Sequence, residues 1–394
     1  MELQLHSFEA GRRGKPDELE TQIAHLIGAQ FLEIDPNARF DLRVAGGHNH
    51  QQDKLEVRVS GEVSRNILEI SGINDRIAGI VVHHYNKIHL TNLTADDFMI
   101  HITPKPQDVH LASNGAAGDS GNPIAVAYRH TPNNLPWERY LAVHFRNLLD
   151  IIYKNNGKVP PALAEASGIK YLEGLKADGK IDVDVLYQGA RFHGIPDITI
   201  ASEHETSLRV AELRRSLAHL VLTELKLIGE MHKINLGTPD ITINGLGDWN
   251  QGGWKVDEGT REAKSYRDGF GSYGVAEDSF SGEDPSKPSG TGTFLARYIS
   301  NQVVKQGISD FARVALSYKI GREEVGLNIT TNGTGRWPQE EIESRVKGTI
   351  PLRIKDAIAI LNLKSPSLYR KIAYGSDFFH DPKLPWNKHP QQHL

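Results

Sequence analysis

Apolar and polar positions along this chain follow two different periods, and the switches between them mark out its elements. From Lys15 to Leu32 (KPDELETQIAHLIGAQFL), Leu19, Ile23, Leu26 and Ile27 recur at helical spacing and make one apolar stripe. Pro16 in the first turn, followed by Asp17 and Glu18, suits the positive end of a helix dipole. Lys54 to Val63 (KLEVRVSGEV) alternates with period two, the pattern of a half-buried strand, and a further strand pair is expected between Ile80 and His101. Trp137 to Lys154 predicts an amphipathic helix, Asp182 to Tyr187 and Asp197 to Ser202 predict strands, and Thr206 to Ile228 predicts a long helix. The last third alternates again. Strands are expected at Asp240 to Asn244, Ala312 to Ile320 and Gly326 to Thr331, and helices at Gly290 to Gly307, Pro338 to Val346 and Ile354 to Leu361. Strand, strand and helix units thus recur without a visible sequence repeat, which is an α+β pattern.

One stretch breaks this regularity. Between Thr242 and Lys287 nine glycines fall within the 38 positions from Gly245 to Gly282, together with Trp249, Trp254 and several charges. Such a backbone can approach a ligand closely, and it is slung between an expected strand and an expected helix. A glycine-rich loop also reads simply as a series of turns. Thr103 to Asn122, rich in Pro, Gly, Asn and Ala, is a second long loop, of the kind that can act as a lid.

Composition narrows the chemistry. Forty-five basic and 49 acidic residues leave a formal charge of −4, which gives no global attraction to nucleic acid or to an anionic membrane. No apolar run approaches the roughly 18 residues a membrane span needs, and the first residues (MELQLHSFEAGRR) lack a signal-peptide core, so a cytoplasmic location is expected. With no cysteine in 394 residues, disulfides, thiolate metal sites and a cysteine nucleophile are excluded. A metal here must use oxygen or imidazole ligands. His48, His50, His83, His84 and His89 read either as a zinc site or as polar surface, and their irregular spacing favours surface.

Several motifs fall in a fixed order: GKPDELETQI (Gly14 to Ile23), SGEVSR (Ser60 to Arg65), AAGDSG (Ala116 to Gly121), ADGK (Ala177 to Lys180), DWNQGG with Asp257 and Lys264 after it, FSGEDPSK (Phe280 to Lys287), LARY (Leu295 to Tyr298), SYKIG (Ser317 to Gly321) and AYGSDFFHDPKLPW (Ala373 to Trp386). Together they resemble the S-adenosylmethionine synthetase family, also called methionine adenosyltransferase. The likeness spans nearly the whole chain. It implies an α+β fold of three similar domains, mixed sheets covered by helices, and a homodimer or homotetramer with its active sites at the subunit interface. Approximate domains are 1–105, 106–235 and 236–394, interleaved as in that family.

The resemblance also implies a transferase that moves the adenosyl group of ATP to the sulfur of methionine, or of a related small molecule, and releases the triphosphate as phosphate and diphosphate. It places Lys15, Lys180, Lys264 and Lys287 along the phosphate chain and Asp17 on magnesium. Glu62 and Asp119 would grip the ammonium of methionine, Asp178 would contact ATP as one of a pair with Lys180, Trp249 would stack on adenine, Asp257 would fill an acidic position in the same pocket, and Ile320 would make an apolar contact to the adenosyl end. Mg2+ and K+ are the implied cations. Each motif keeps its local reading beside this one: Asp17 and Glu18 as helix-start carboxylates, Glu62 as an edge-strand residue, Asp119 as a turn former, ADGK as a hairpin turn.

The chain departs from the family pattern in the phosphate half. Lys15 stands for a histidine, Glu18 and Glu283 for lysines, Ala263 for an arginine, and Ser289 and Gly290 for the second magnesium aspartate and the arginine after it. The two lysine-to-glutamate exchanges alone shift the pocket by about four charge units toward negative. Arg12, Arg13, Arg261 and Arg267 lie near enough in sequence to compensate. The alternative to an active synthetase is therefore a catalytically impaired relative that binds an adenosyl ligand or partners an active paralogue.

Overall fold

The helix Pro16–Ile34 is the axis of one half of the molecule, with 16 of its 19 residues buried. In the computed structural model, residues 2–108, 115–260, 269–274, 282–373, 379–388 and 394 are described. Instead of resting one stripe on a core, this helix is covered on several sides. It packs against the strand Phe40–Asn49, the helix Ile73–His89 and the helix Pro366–Ala373. Polar residues along it are therefore buried, and each named here has a partner: Glu20 accepts from the Trp254 indole, and Gln22 bonds His84 at 3.0 Å and the Arg13 carbonyl at 3.1 Å. At Gly28 a Cβ would stand 2.8 Å from the Phe40 ring, so only glycine permits that approach.

Three sheets are present among the described residues. The first runs Leu3–Gly11, Leu175–Gln188, Asp197–His204, Asp240–Ile243, with Arg191–Gly194 paired to the second strand. Its pairings are antiparallel except the last two strands, which are parallel. The second sheet runs Gly259–Thr260, Phe40–Asn49, Lys54–Val63, Phe98–Ile102, and Lys105–Pro106 also pairs with Lys54–Val63. The third joins Gly326–Thr330, Phe311–Ser317 and Ile124–Tyr128. Each sheet draws strands from distant parts of the chain. One apolar cluster unites the first and third sheets with the helices on them. A second lies between the second sheet and the helices Pro16–Ile34 and Ile73–His89. This is the expected α+β architecture of mixed sheets and covering helices.

The structure corrects several local expectations. Ile80 to His101 is no strand pair: its first ten residues belong to the helix Ile73–His89, and only Phe98–Ile102 is a strand. The β-branched run IVV invites a strand reading, yet Ile73, Ile77, Val81, Tyr85 and Ile88 are buried at helical spacing. Asp178 and Lys180 lie within the long strand Leu175–Gln188 and make no turn, at a register shift between Leu175 and Gly179. The long helix begins at Val210, not Thr206, and reaches His232. The helix expected from Gly290 opens with a π-helical segment, Pro288–Gly292, before the regular helix Thr293–Lys305. Among the described residues no helix is long and apolar enough to cross a membrane.

Candidate active site

The amino end of the helix Pro16–Ile34 gathers charged groups from four segments of the chain. Lys15, the residue before the first turn, holds its ammonium 3.6 Å from Asp17 and 3.7 Å from Asp257 of the glycine-rich loop. The amide of Thr260, farther along that loop, reaches Asp17 at 3.4 Å. Asp178, only 3% exposed, accepts hydrogen bonds from the amides of Gly179 at 2.6 Å and Gly253 at 2.8 Å. Burial pushes its carboxyl up to about 6, against the pull of the Gly253 amide and Lys15.

Glu203, also buried, accepts from the Gly252 amide at 2.8 Å and lies 2.7 Å from the Lys176 ammonium. These two carboxylates clamp the turn at Gly252 and Gly253. A Cβ on Gly252 would stand 2.8 Å from the Asp178 Cβ and 2.9 Å from the Glu203 carboxyl carbon, so that position requires glycine. Trp249, three residues earlier, is anchored by its main chain: its carbonyl accepts from the His204 amide at 2.9 Å, and its amide donates to His204 Nε2 at 3.2 Å. Lys180 lies two residues beyond Asp178 and pairs with the buried Glu9 at 2.8 Å. Glu18 sits over Gly11, the residue opposite Lys180 in the sheet.

A second charged group forms at the start of the strand Phe40–Asn49. Lys287, whose side chain is 5% exposed, places its ammonium 3.4 Å from Asp41 and 3.3 Å from Asp119. Burial alone would lower its affinity for a proton, but Asp41, Asp119 and Glu283 together hold it above the ordinary lysine range. Glu62 stands opposite Asp41 in the register of the second sheet and is exposed. Ile320, half exposed, donates its amide to Ser120 beside Asp119. Behind this group, Asp284 is saturated by the amides of Phe40 at 3.1 Å and Ser286 at 2.9 Å and by the Ser286 hydroxyl at 2.6 Å. The Ser289 hydroxyl donates to Glu283. The two groups share one strand. Thr260, which touches Asp17, pairs with Ala45, and Asp41 lies four residues away, roughly 13 Å along the strand.

Comparison with known proteins bears on this arrangement. The model of the S-adenosylmethionine synthetase C-terminal domain matches residues 251–388. Proteins named S-adenosylmethionine synthase match nearly end to end. The one from Syntrophobacter fumaroxidans is 26% identical, with 98% of this chain and 95% of that protein covered. That of Corynebacterium jeikeium is 28% identical, with 98% and 96% covered, and that of Aquifex aeolicus is 25% identical with the same coverage. Nearly the whole chain is thus similar to S-adenosylmethionine synthases, at 25–28% identity.

Within this chain the sequence-derived residues divide between the two groups. Lys15, Asp17, Asp178 and Asp257 come together, with Trp249 on the same loop and Lys180 on the same strand. Asp119 and Lys287 meet in the second group, with Glu62 and Ile320 at its edges. Lys264 lies outside the described residues, as do Ala263, Arg261 and Arg267. Arg12 and Arg13 both bind the buried Asp150, at 3.0 and 2.5 Å, and Arg12 also reaches the Asp178 carbonyl at 3.5 Å and the Ser202 hydroxyl at 3.1 Å. Arg12 is thereby committed to the protein interior.

The histidines do not behave as one surface group. His84 is fully buried on Gln22, and burial pushes its imidazole down to about 3; His89 stacks on Tyr85 at 4.4 Å. His48 and His50 face each other at 3.0 Å, with Asp53 at 3.2 Å from His48. Among the described residues no group of three or more metal-capable side chains gathers around one point. Sequence reasoning missed Asp41, Glu203 and Glu9. Asp41 had a faint signal, as a polar position in the alternation FDLRV; the other two lie at the ends of strands where a polar residue looks unremarkable.

Proposed function

We propose that this chain catalyses adenosyl transfer from ATP to the sulfur of methionine or a closely related thioether. The sulfur lone pair forms the S–C5′ bond as the C5′–O bond breaks, and its electron pair leaves with the triphosphate, which water then cleaves to phosphate and diphosphate. The observation that carries this reading is the convergence of Lys15, Asp17, Asp178 and Asp257 from distant segments. A protein under folding constraints alone has no need of such a set of charges around one helix end.

No covalent intermediate is required, so acceleration comes from alignment and charge stabilisation. Trp249 offers a ring for adenine, and Asp178 accepts hydrogen bonds from the nucleoside. Lys15, Lys180, Lys264 and Lys287 act on the phosphate chain. Glu62 and Asp119 hold the ammonium of the acceptor, and Ile320 makes an apolar contact to the adenosyl end. Asp17 fits a magnesium ion held mainly by phosphate oxygens, since Mg2+ commonly takes only one or two protein carboxylates. When bound it supplies neutralisation of the leaving group. K+ is carried by the resemblance, with no residue assigned.

The second group lies on a sheet face whose residues Arg43, Arg58, Glu62 and His101 are exposed. That uncovered face supports a homodimer in which each site combines the first group of one protomer with the second group of its partner. We propose further that the three sheets mark three interleaved domains, approximated by residues 1–105, 106–235 and 236–394.

Purified protein with ATP, Mg2+, K+ and methionine, analysed by mass for sulfonium product, phosphate and diphosphate, tests the activity. A second reading is favoured by Glu18 and by the Glu283–Ser289 pair, which place carboxylates in the phosphate half: a non-catalytic relative that binds an adenosyl ligand or an active paralogue. It takes over if turnover is absent while adenosyl ligands still raise the melting temperature.

A further inference from the structure

A cavity of about 640 Å³ opens at the far end of the first sheet. Lys180 and Gln188 stand eight residues apart on one strand, which puts this cavity roughly 26 Å from the site described above. Its floor is aromatic: Tyr128 and Tyr187 stack with ring centroids 5.2 Å apart, and both are buried. Phe192, carried by the short strand Arg191–Gly194, forms one wall and packs on the buried Trp137 with ring centroids 5.8 Å apart and planes tilted by 56°. The rim is cationic. Arg129, His130, Arg191 and His193 line it, and Asp310 is the only carboxylate among the lining residues. Asp310 is engaged by Arg129 at 3.3 Å and His130 at 3.6 Å, whereas Arg191 has no carboxylate partner among the described residues. Arg129 and Arg336 also flank Gly307 together, each guanidinium within 3.2 Å of the point a Cβ there would occupy.

Guanidinium groups that line one open cavity repel one another unless an anion lies between them. An aromatic wall favours a flat partner, and the volume lies within the range of small-molecule sites. We infer that this cavity binds a small planar aromatic molecule carrying a phosphate or carboxylate, its ring against Phe192 and its anionic group on Arg191 and Arg129. This site is independent of the proposed synthetase reaction.

Titration calorimetry of the full chain with 1-naphthyl phosphate and with 1-naphthoate is the test, the two probes separating a phosphate from a carboxylate preference. Saturable binding of at least one probe, one per protomer, is expected. Its Kd is expected to rise at least ~10-fold in Arg191→Ala and in Phe192→Ala, and to stay unchanged in Asp178→Asn, which alters only the other site. Neutral 1-naphthol and inorganic phosphate are each expected to bind at least ~10-fold more weakly than the better probe. Should Phe192→Ala fail to fold, Phe192→Leu keeps the apolar volume, removes the ring, and reads the same loss. No binding of either probe, binding insensitive to Arg191→Ala, or inorganic phosphate binding as well as the aromatic anions overturns the assignment.

Discussion

Asp119 receives the ammonium of Lys287 at 3.3 Å across 168 residues of sequence. A carboxylate that already holds a primary ammonium is chemically prepared for the ammonium of an amino acid, and Asp41 on the other side of Lys287 extends the same acidic wall. Asp119→Asn keeps the shape and removes the charge. The KM for methionine is expected to rise roughly 10- to 100-fold, the loss of one charge-assisted hydrogen bond, with the KM for ATP much less affected. Equal loss of both in steady-state kinetics would trace the effect to damaged folding.

Asp178 gives a pH signature. Its folded-state value of about 6 lies above the ordinary 3.8, so between those values the folded protein binds a proton that the unfolded chain has lost. Stability from this group is full below about pH 4 and falls as pH rises through 6, by on the order of 3 kcal/mol. Asp178→Asn removes the dependence. Denaturant melts at pH 4.5 and 7 are expected to show the variant gaining on the parent as pH rises; a constant difference between them would remove Asp178 as a buried titrating group.

The hydroxyl of Ser289 and the carboxylate of Glu283 satisfy each other where the resemblance implies an aspartate and a lysine. The double variant Glu283→Lys, Ser289→Asp restores that pattern with both charges paired. Inhibition by triphosphate is expected to tighten about 10-fold or more, since each recovered cation at several ångströms from the leaving group is worth on the order of a kcal/mol. Glu283→Lys alone leaves the new lysine without its acid and is expected to lower the melting temperature. Unchanged triphosphate inhibition in the folded double variant would place Glu283 outside the phosphate pocket.

Gly252 separates Asp178 from Glu203 by less space than a methyl group needs. Gly252→Ala is expected to cost about 1–3 kcal/mol in stability and to weaken adenosyl-ligand binding, as read by denaturant melts and calorimetry. An alanine variant as stable and as tight-binding as the parent would mean the turn is looser than described.

Much of this was legible in the sequence because the signals were local. The strand Lys54–Val63 follows from alternation alone, and the helix Trp137–Lys154 from its apolar stripe. Ile73–His89 was obscured by its β-branched run and by His84, whose burial on Gln22 comes from a helix 62 residues earlier. The candidate site was legible as a set of motif residues but not as a geometry. Asp41 and Lys287 are 246 residues apart, Arg12 and Asp150 138 apart, and no window of sequence reports pairings at such range. That Asp178 sits inside a strand was hidden by ADGK, whose composition is that of a turn.

In the proposed dimer, one working site combines the Lys15 group of one protomer with the Asp119 group of its partner. Lys15→Met and Asp119→Ala, each expected to be inactive, are unfolded together, refolded as a mixture and assayed for sulfonium product. Random pairing makes half the dimers hybrid, each with one intact site, so recovery of about a quarter of parental turnover is expected. An active parent whose mixed variants recover nothing contradicts the shared site.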